Sequence, residues 1–325
     1  MKVPKPLEAL FDTFPLQTFP VKARDYLDSL EKYPFLSTKD LASSNVRFLL
    51  AVHNVRETEL RPGFSRFLAT DPLGLADALI LCRRHDLRLA GGAEKLQMVQ
   101  SQHCMVPLSY LASPDNTLPI LVETQRNTTK CVTTCAKISA AVAAKSFATG
   151  AIDSTVNHFL DTLQTLWVFT LLHEVFFSSN EVLELVFAAS PTDYLGTVQL
   201  IENIQGWGHF REKYGNLYSD YADVAKAPLA AAKRLLSGPR PTVTDEAFKK
   251  AYAAEIAEFF KTLPLVAEHI RGKLDSEAKA VLEIKLAAFL VCCVNFLPSS
   301  SVLSSLLVKD HLKLVEESIS VVLKY

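Results

Sequence analysis

The sequence predicts an α+β, mostly helical protein: a small α/β layer first, then an all-helical second half. Two observations carry this. Short, β-branched apolar runs alternate with helical patterns between residues 46 and about 127, and from about residue 152 apolar residues recur at helical spacing to the end. Strands mixed with helices form a layered α/β unit, whereas an unbroken series of amphipathic helices buries its faces in a bundle. The 325 residues allow about two domains. The reading is an irregular N-terminal arm over 1–45, a sheet-containing domain over 46–148 and a helical domain over 149–325.

The arm holds Pro4, Pro6, Pro15, Pro20 and Pro34, which deny it regular structure. "VRFLLAV", 46–52, is short, apolar and bounded by valines, as a buried strand should be. "ATDPLGLADALILCRRHDL" opens a helix: Thr70 or Asp71 caps it and Pro72 suits its first position. Arg83, Arg84 and His85 close it, where cations complement the helix dipole. "LQMVQSQ", 96–102, reads as a second strand, and a third opens after Pro119, with a weaker one near 124–127. "TKCVTTCAKISAAVAAKSF" reads as a helix carrying Cys131 and Cys135 on one face. Helices are then expected over 154–178, 180–189, 194–206, 216–236, 244–270, 275–297 and 301–323. "GWGHFREKYG", 206–215, and "SGPRP", 237–241, read as breaks.

Composition excludes several classes. A net charge of −1 leaves no general basic face for nucleic acid. Six cysteines, with Cys292 and Cys293 adjacent in an apolar run, indicate core usage in a reducing compartment, not a disulfide framework. His and Cys show no metal-ligand spacing, so no metal and no cofactor is expected. "MKVPKPLEALFDTFP" lacks the apolar stretch of a secretory signal and the Arg-rich helix of a mitochondrial presequence. "LAAFLVCCVNFL", 286–297, falls short of the ~20 residues a membrane span needs. The longer apolar run 159–177 carries Asp161, Gln164, His173 and Glu174. No transmembrane helix is expected.

The arm is the chemically unusual segment. "LFDTFPLQTFP", 10–20, packs three phenylalanines, two prolines and one charge into eleven residues. Burying one such ring contributes roughly 1.5–3 kcal/mol, so Phe11, Phe14, Leu16 and Phe19 are expected to find cover. Two readings stay open: the arm packs on its own protein, or it docks on a partner through these anchors. Pro15 holds the chain extended and lowers the cost of ordering it, and Asp12 would satisfy backbone groups. Phe11, Asp12, Phe14, Pro15, Leu16 and Phe19 are therefore the candidate partner-binding residues.

Three stretches together, "LFDTFPLQTFP", "LATDPLGLADALILCRRHDL" and "LPILVE", resemble the fungal metaxin-like peripheral receptor subunits of the mitochondrial sorting and assembly machinery. The order of elements is similar to the glutathione-transferase architecture, a thioredoxin-like domain followed by helices. The family resemblance implies a non-catalytic protein, peripheral on the cytosolic face of the mitochondrial outer membrane. Its implied partners are the membrane-embedded β-barrel subunit, a second metaxin-like peripheral subunit, and β-barrel precursors recognised by their C-terminal β-signal. The fold resemblance implies a cis bond before Pro119. It also raises the alternative of a glutathione-dependent transferase. That alternative needs a nucleophile just past the first strand, where only His53 and Ser65 stand, and an acid after the last strand. No Asp or Glu occurs from Thr124 to Ile152; Arg126, Lys130, Lys137 and Lys145 make the segment basic instead.

Overall fold

The computed structural model describes residues 30–37, 46–92, 94, 103–109, 113, 117–125, 129–133, 154–177, 181–188, 200–204, 206–222, 246–272 and 276–325. Lys32–Tyr325 form one compact unit. Its strands are β1 (Tyr33–Ser37), β2 (Val46–Val52), β3 (Val55–Arg61), β4 (Phe64–Ala69), β5 (Leu87–Leu89), β6 (His103–Pro107), β7 (Ile120–Gln125) and β8 (Thr129–Thr133). Helix α1 (Pro72–His85) lies between β4 and β5. Among the described residues the strands are followed by helices α2 (Ser154–Phe177), α3 (Glu181–Phe187), α4 (Trp207–Ala222), α5 (Glu246–Gly272), α6 (Ser276–Phe296), α7 (Val302–Asp310) and α8 (Leu312–Lys324).

Six strands form one sheet in the order β5-β1-β6-β2-β7-β8. β2 runs parallel to β6 and antiparallel to β7, and β8 is antiparallel to β7. That mixed core, β6-β2-β7-β8 with α1 crossing from β2 toward β6, is thioredoxin-like and compatible with the glutathione-transferase layout. A parallel pair cannot be closed by a tight turn, which is why a helix must span it. β2 lies between neighbours on both sides, so Phe48, Leu50 and Val52 are all buried.

The sheet departs from the sequence reading at several points. Tyr33–Ser37 is a strand inside the stretch expected to be irregular; it adds to the β6 edge and pairs antiparallel with both β6 and β5. Pro34 sits at its second residue, paired with Cys104. The stretch 53–71, between the expected first strand and the helix that Thr70 or Asp71 caps, contains the hairpin β3–β4, which the sequence reading did not include. Pro62-Gly63 makes its turn, with Gly63 at φ 78°, a value that suits glycine. Thr129–Thr133, read as the start of a helix, pairs with β7 instead, and Cys131 sits opposite Glu123. The strand expected over 96–102 and the remainder of the expected 129–147 helix lie outside the described residues.

The helical half follows the apolar pattern more closely. α6 carries LAAFLVCC, apolar all round, and is enclosed by α1 on the sheet side and α7 and α8 on the other. Phe169 of α2 meets the rings of Phe210, Tyr214, Phe248 and Tyr252 at centroid distances of 4.8–5.4 Å. The expected break at 206–215 is helical: only Gly206, at φ 97°, stands before α4, and His209 lies inside it. The single helix expected over 301–323 is two, divided at His311, whose ring stacks on Phe260 at 4.2 Å.

Candidate functional site

A cleft opens where β2 gives way to α1 and the sheet meets the helices. It encloses about 590 Å³, counting the part open to solvent. Helices α1, α2 and α6 line it, together with the connecting residues His53, Leu118 and Ile204. β2 ends at Val52 and places His53 at the floor. The hairpin then returns the chain to Asp71, directly before α1. The Leu118–Pro119 peptide is cis, and Leu118 joins the lining. Leu160, Leu163, Gln164 and Trp167 come from α2, with Lys285 and Phe289 from α6.

The turn region is tied to the helices by hydrogen bonds. The Asn54 side-chain amide donates to the Leu185 carbonyl at 2.8 Å, and the Thr70 hydroxyl donates to the Val186 carbonyl at 2.7 Å. Both acceptors lie in the last turn of α3, whose carbonyls have no helical donor left. One short helix therefore holds the two chain segments that flank the hairpin. Asp71 caps α1: its Oδ1 accepts the Gly74 amide hydrogen at 2.7 Å, and Pro72 occupies the first helical position.

Among the described residues Asp71 Oδ2 and Trp167 Nε1 have no hydrogen-bond partner, and both atoms are closed off from solvent. His53 is 4% exposed, and its ring packs edge-on against Phe187. Behind the lining, Asp77 of α1 is 1% exposed with Oδ2 unpartnered. Burial raises Asp77 to about 7, partly opposed by the Lys285 ammonium. Burial likewise raises Asp71, against the nearby His53. Desolvation lowers both His53 and Lys285, each partly held up by its aspartate. All four shifts have one leading cause: charged groups placed in a poorly solvated space.

This arrangement offers hydrogen bonds and a low-dielectric apolar wall. Among the described residues lining the cleft there is no Ser, Thr, Tyr or Cys. Ser65 lies on β4, where its hydroxyl donates to Glu57 at 2.7 Å. Cys82, Cys292 and Cys293 are buried, and desolvation pushes their thiols up, away from thiolate chemistry. Among the described residues no three or more His, Cys, Asp or Glu are placed to hold a metal, and no helix is long and apolar enough to cross a membrane.

Of the residues singled out from sequence, His53 and Asp71 line this cleft, and Pro119 follows its lining residue Leu118 through the cis bond. Phe11, Asp12, Phe14, Pro15, Leu16 and Phe19 lie outside the described residues. So do Arg126, Lys137 and Lys145, while Lys130 is in β8. His209 is half exposed, 3.7 Å from Asp161. Sequence reasoning took Asp71 for a cap alone and passed over Asp77, Gln164 and Lys285. A signal was present: Asp77 interrupts LGLADALILC, and Lys285 interrupts EIKLAAFLVCC. A lone charge in a fully apolar helix is rarely buried without a partner.

Residues 1–123 match the family model described as SAM35, subunit of SAM complex. The chain is also 30% identical, over 203 residues, to the Sorting assembly machinery 35 kDa subunit of Saccharomyces cerevisiae. That match covers 59% of this chain and 56% of the relative, so it spans little more than half of the relative's length. Both comparisons support the resemblance drawn from the three sequence stretches.

Proposed function

We propose that this chain, matched over its first 123 residues by the SAM35 family, is a non-catalytic receptor and assembly subunit of the sorting and assembly machinery of the mitochondrial outer membrane. The family match is the observation that carries the reading. The alternative, a glutathione-dependent transferase of the same fold, needs a nucleophile, and the described residues lining the cleft include no hydroxyl or thiol. Fold alone would decide nothing between the two.

The subunit would sit peripherally on the cytosolic face, with the membrane-embedded barrel subunit and a second metaxin-like subunit as partners. It would receive β-barrel precursors by their C-terminal β-signal. Extended segments are commonly held by strand addition at a sheet edge, where main-chain hydrogen bonds supply affinity. β8 ends the sheet order on one side and is the edge we assign to that role. The arm residues Phe11, Asp12, Phe14, Pro15, Leu16 and Phe19 would dock on a partner, with the rings as anchors.

The test is site-specific photocrosslinking in isolated mitochondria. Crosslinkers at Thr129 and Lys130 of β8 and at Phe14 of the arm are presented with an arriving β-barrel precursor. The reading predicts adducts at β8 that disappear when the precursor lacks its C-terminal segment, and arm adducts to resident subunits. Adducts at β8 that are indifferent to that segment would overturn the β-signal role.

A further inference from the structure

Among the described residues, Lys285 is the one primary amine on the cleft lining. It stands on α6 one turn before Phe289, so the two side chains share a helix face, and both line the cleft. Leu160, Leu163, Gln164 and Trp167, three and four residues apart on α2, supply a facing stripe. The Lys285 ammonium has no hydrogen-bond partner among the described residues; the Asp77 carboxyl acts on it through charge alone. Lys285 is half-buried. Its Nζ is not among the unpartnered atoms closed off from solvent, as Asp71 Oδ2 and Trp167 Nε1 are, so an occupant of the cleft can reach it. A lysine ordinarily lays its stem on apolar surface and keeps its head in water; here the head faces apolar walls.

Those surroundings decide the chemistry. Burial disfavours the charged form and lowers Lys285 from its ordinary value, with Asp77 opposing. A larger share is then free amine, and a desolvated free amine is a nucleophile toward carbonyl carbon. An anionic headgroup would bring its charge beside the acids Asp71 and Asp77, which disfavours it in a poorly solvated space. A neutral carbonyl compound with a hydrocarbon tail meets no such obstacle, and Leu160, Leu163, Ile204 and Phe289 offer apolar surface to the tail.

We propose that Lys285 is a covalent acceptor site for an apolar aldehyde, the class that oxidised acyl chains release. The Lys285 nitrogen bonds to the carbonyl carbon. The carbinolamine then loses the former carbonyl oxygen as water, together with the two hydrogens of the free amine, and leaves an imine. Return of water reverses the step, and no oxidant or reductant takes part. The inference goes beyond the assembly role and does not depend on it; copurification tests that role separately.

The full-length protein is incubated at neutral pH with octanal and sodium cyanoborohydride, which reduces each imine to a stable secondary amine. Peptide mass spectrometry reads the sites. Lys309 and Lys313, exposed on α7 and α8, are internal controls. Lys285 is expected to label at least about tenfold faster than either. Glycolaldehyde, which has no tail, should show no such preference. Octanamide, neutral and unreactive, should slow labelling of Lys285 and leave the controls unchanged. Leu163→Trp fills the cleft and keeps the lysine; with an unchanged melting point, it should bring Lys285 down to the rate of the controls. Equal rates at Lys285 and the controls with octanal overturn the proposal. So does a preference for Lys285 that persists with glycolaldehyde or in folded Leu163→Trp. Protection by octanoate stronger than that by octanamide also overturns it, because the cleft would then be an anion site.

Discussion

The Asp71 carboxylate accepts the Gly74 amide hydrogen at 2.7 Å through Oδ1, while Oδ2 is buried with no hydrogen-bond partner among the described residues. The pair explains why glycine stands in the first turn of α1. A Cβ at Gly74 would lie 2.6 Å from Asp71 Oδ2 and 3.0 Å from Val52 Cγ1. Helix propensity favours Gly→Ala by about 1 kcal/mol; losing the cap costs about as much or more. Because the Asp71 side chain is short and fixed by its bond to Gly74, the steric effect should win. Gly74→Ala is predicted to lower stability by about 1–2 kcal/mol, read as a lower urea midpoint. A higher midpoint would show that the cap adjusts freely.

Asp77 predicts a pH dependence with a definite sign. Its folded-state value is raised to about 7, above the ~3.9 of an unfolded aspartate. Between those values the folded state holds a proton that the unfolded state has released. Stability from this group is therefore complete below about pH 4 and is lost as pH rises through about 7. Asp77→Asn removes that slope. The stability of Asp77→Asn minus that of the native chain should increase from pH 4 to 7 and then level off, whatever constant offset the unpaired Lys285 introduces. Parallel stability curves would contradict the burial of this carboxylate.

Adjacent glycines after β5 should respond differently to the same change. A Cβ on Gly91 would meet the Ser65 backbone carbonyl at 2.6 Å. A Cβ on Gly92 would meet the Glu57 carboxylate, at the far end of a flexible chain. The first obstacle is main chain of the hairpin and cannot swing away. Gly91→Ala is predicted to cost about 1–3 kcal/mol and Gly92→Ala less than about 0.5 kcal/mol, compared by thermal melting. Equal costs would mean that the hairpin does not pack on this turn.

In the helices, Phe169 is fully buried among four aromatic rings, whereas Phe64 at the hairpin turn is 57% exposed. Phe169→Ala should cost about 3–5 kcal/mol through the cavity it leaves. Phe64→Ala should fall within about 0.5 kcal/mol of the native chain. Denaturant titration separates the two.

How much of this was legible follows from which signal each element carries. β2 and α1 were readable because VRFLLAV is apolar throughout and TDP is a cap followed by its preferred first residue. α2, α5 and α6 were readable within about two residues because their periodic stretches are long. β3–β4 were not, because VRETELR buries only Val55 and Leu60, and charges on a solvated face read as loop. The turn Pro62-Gly63 was the available clue. β8 was missed because TKCVT continues into alanine-rich sequence, and pairing with β7 overrides that local preference. β1 was hidden by Pro34. The cleft's polar set was the least legible: Asp71, Trp167 and Lys285 are separated by about a hundred residues each, and only the meeting of α1, α2 and α6 brings them together.

The most direct test of the account is copurification from mitochondria, using the intact chain and a version lacking residues 1–20. The account predicts that the intact chain brings down a membrane β-barrel protein and that the truncated chain, still folded, brings down much less. If the intact chain brings down no membrane β-barrel protein from mitochondria that contain the machinery, the proposed role in outer-membrane assembly is wrong.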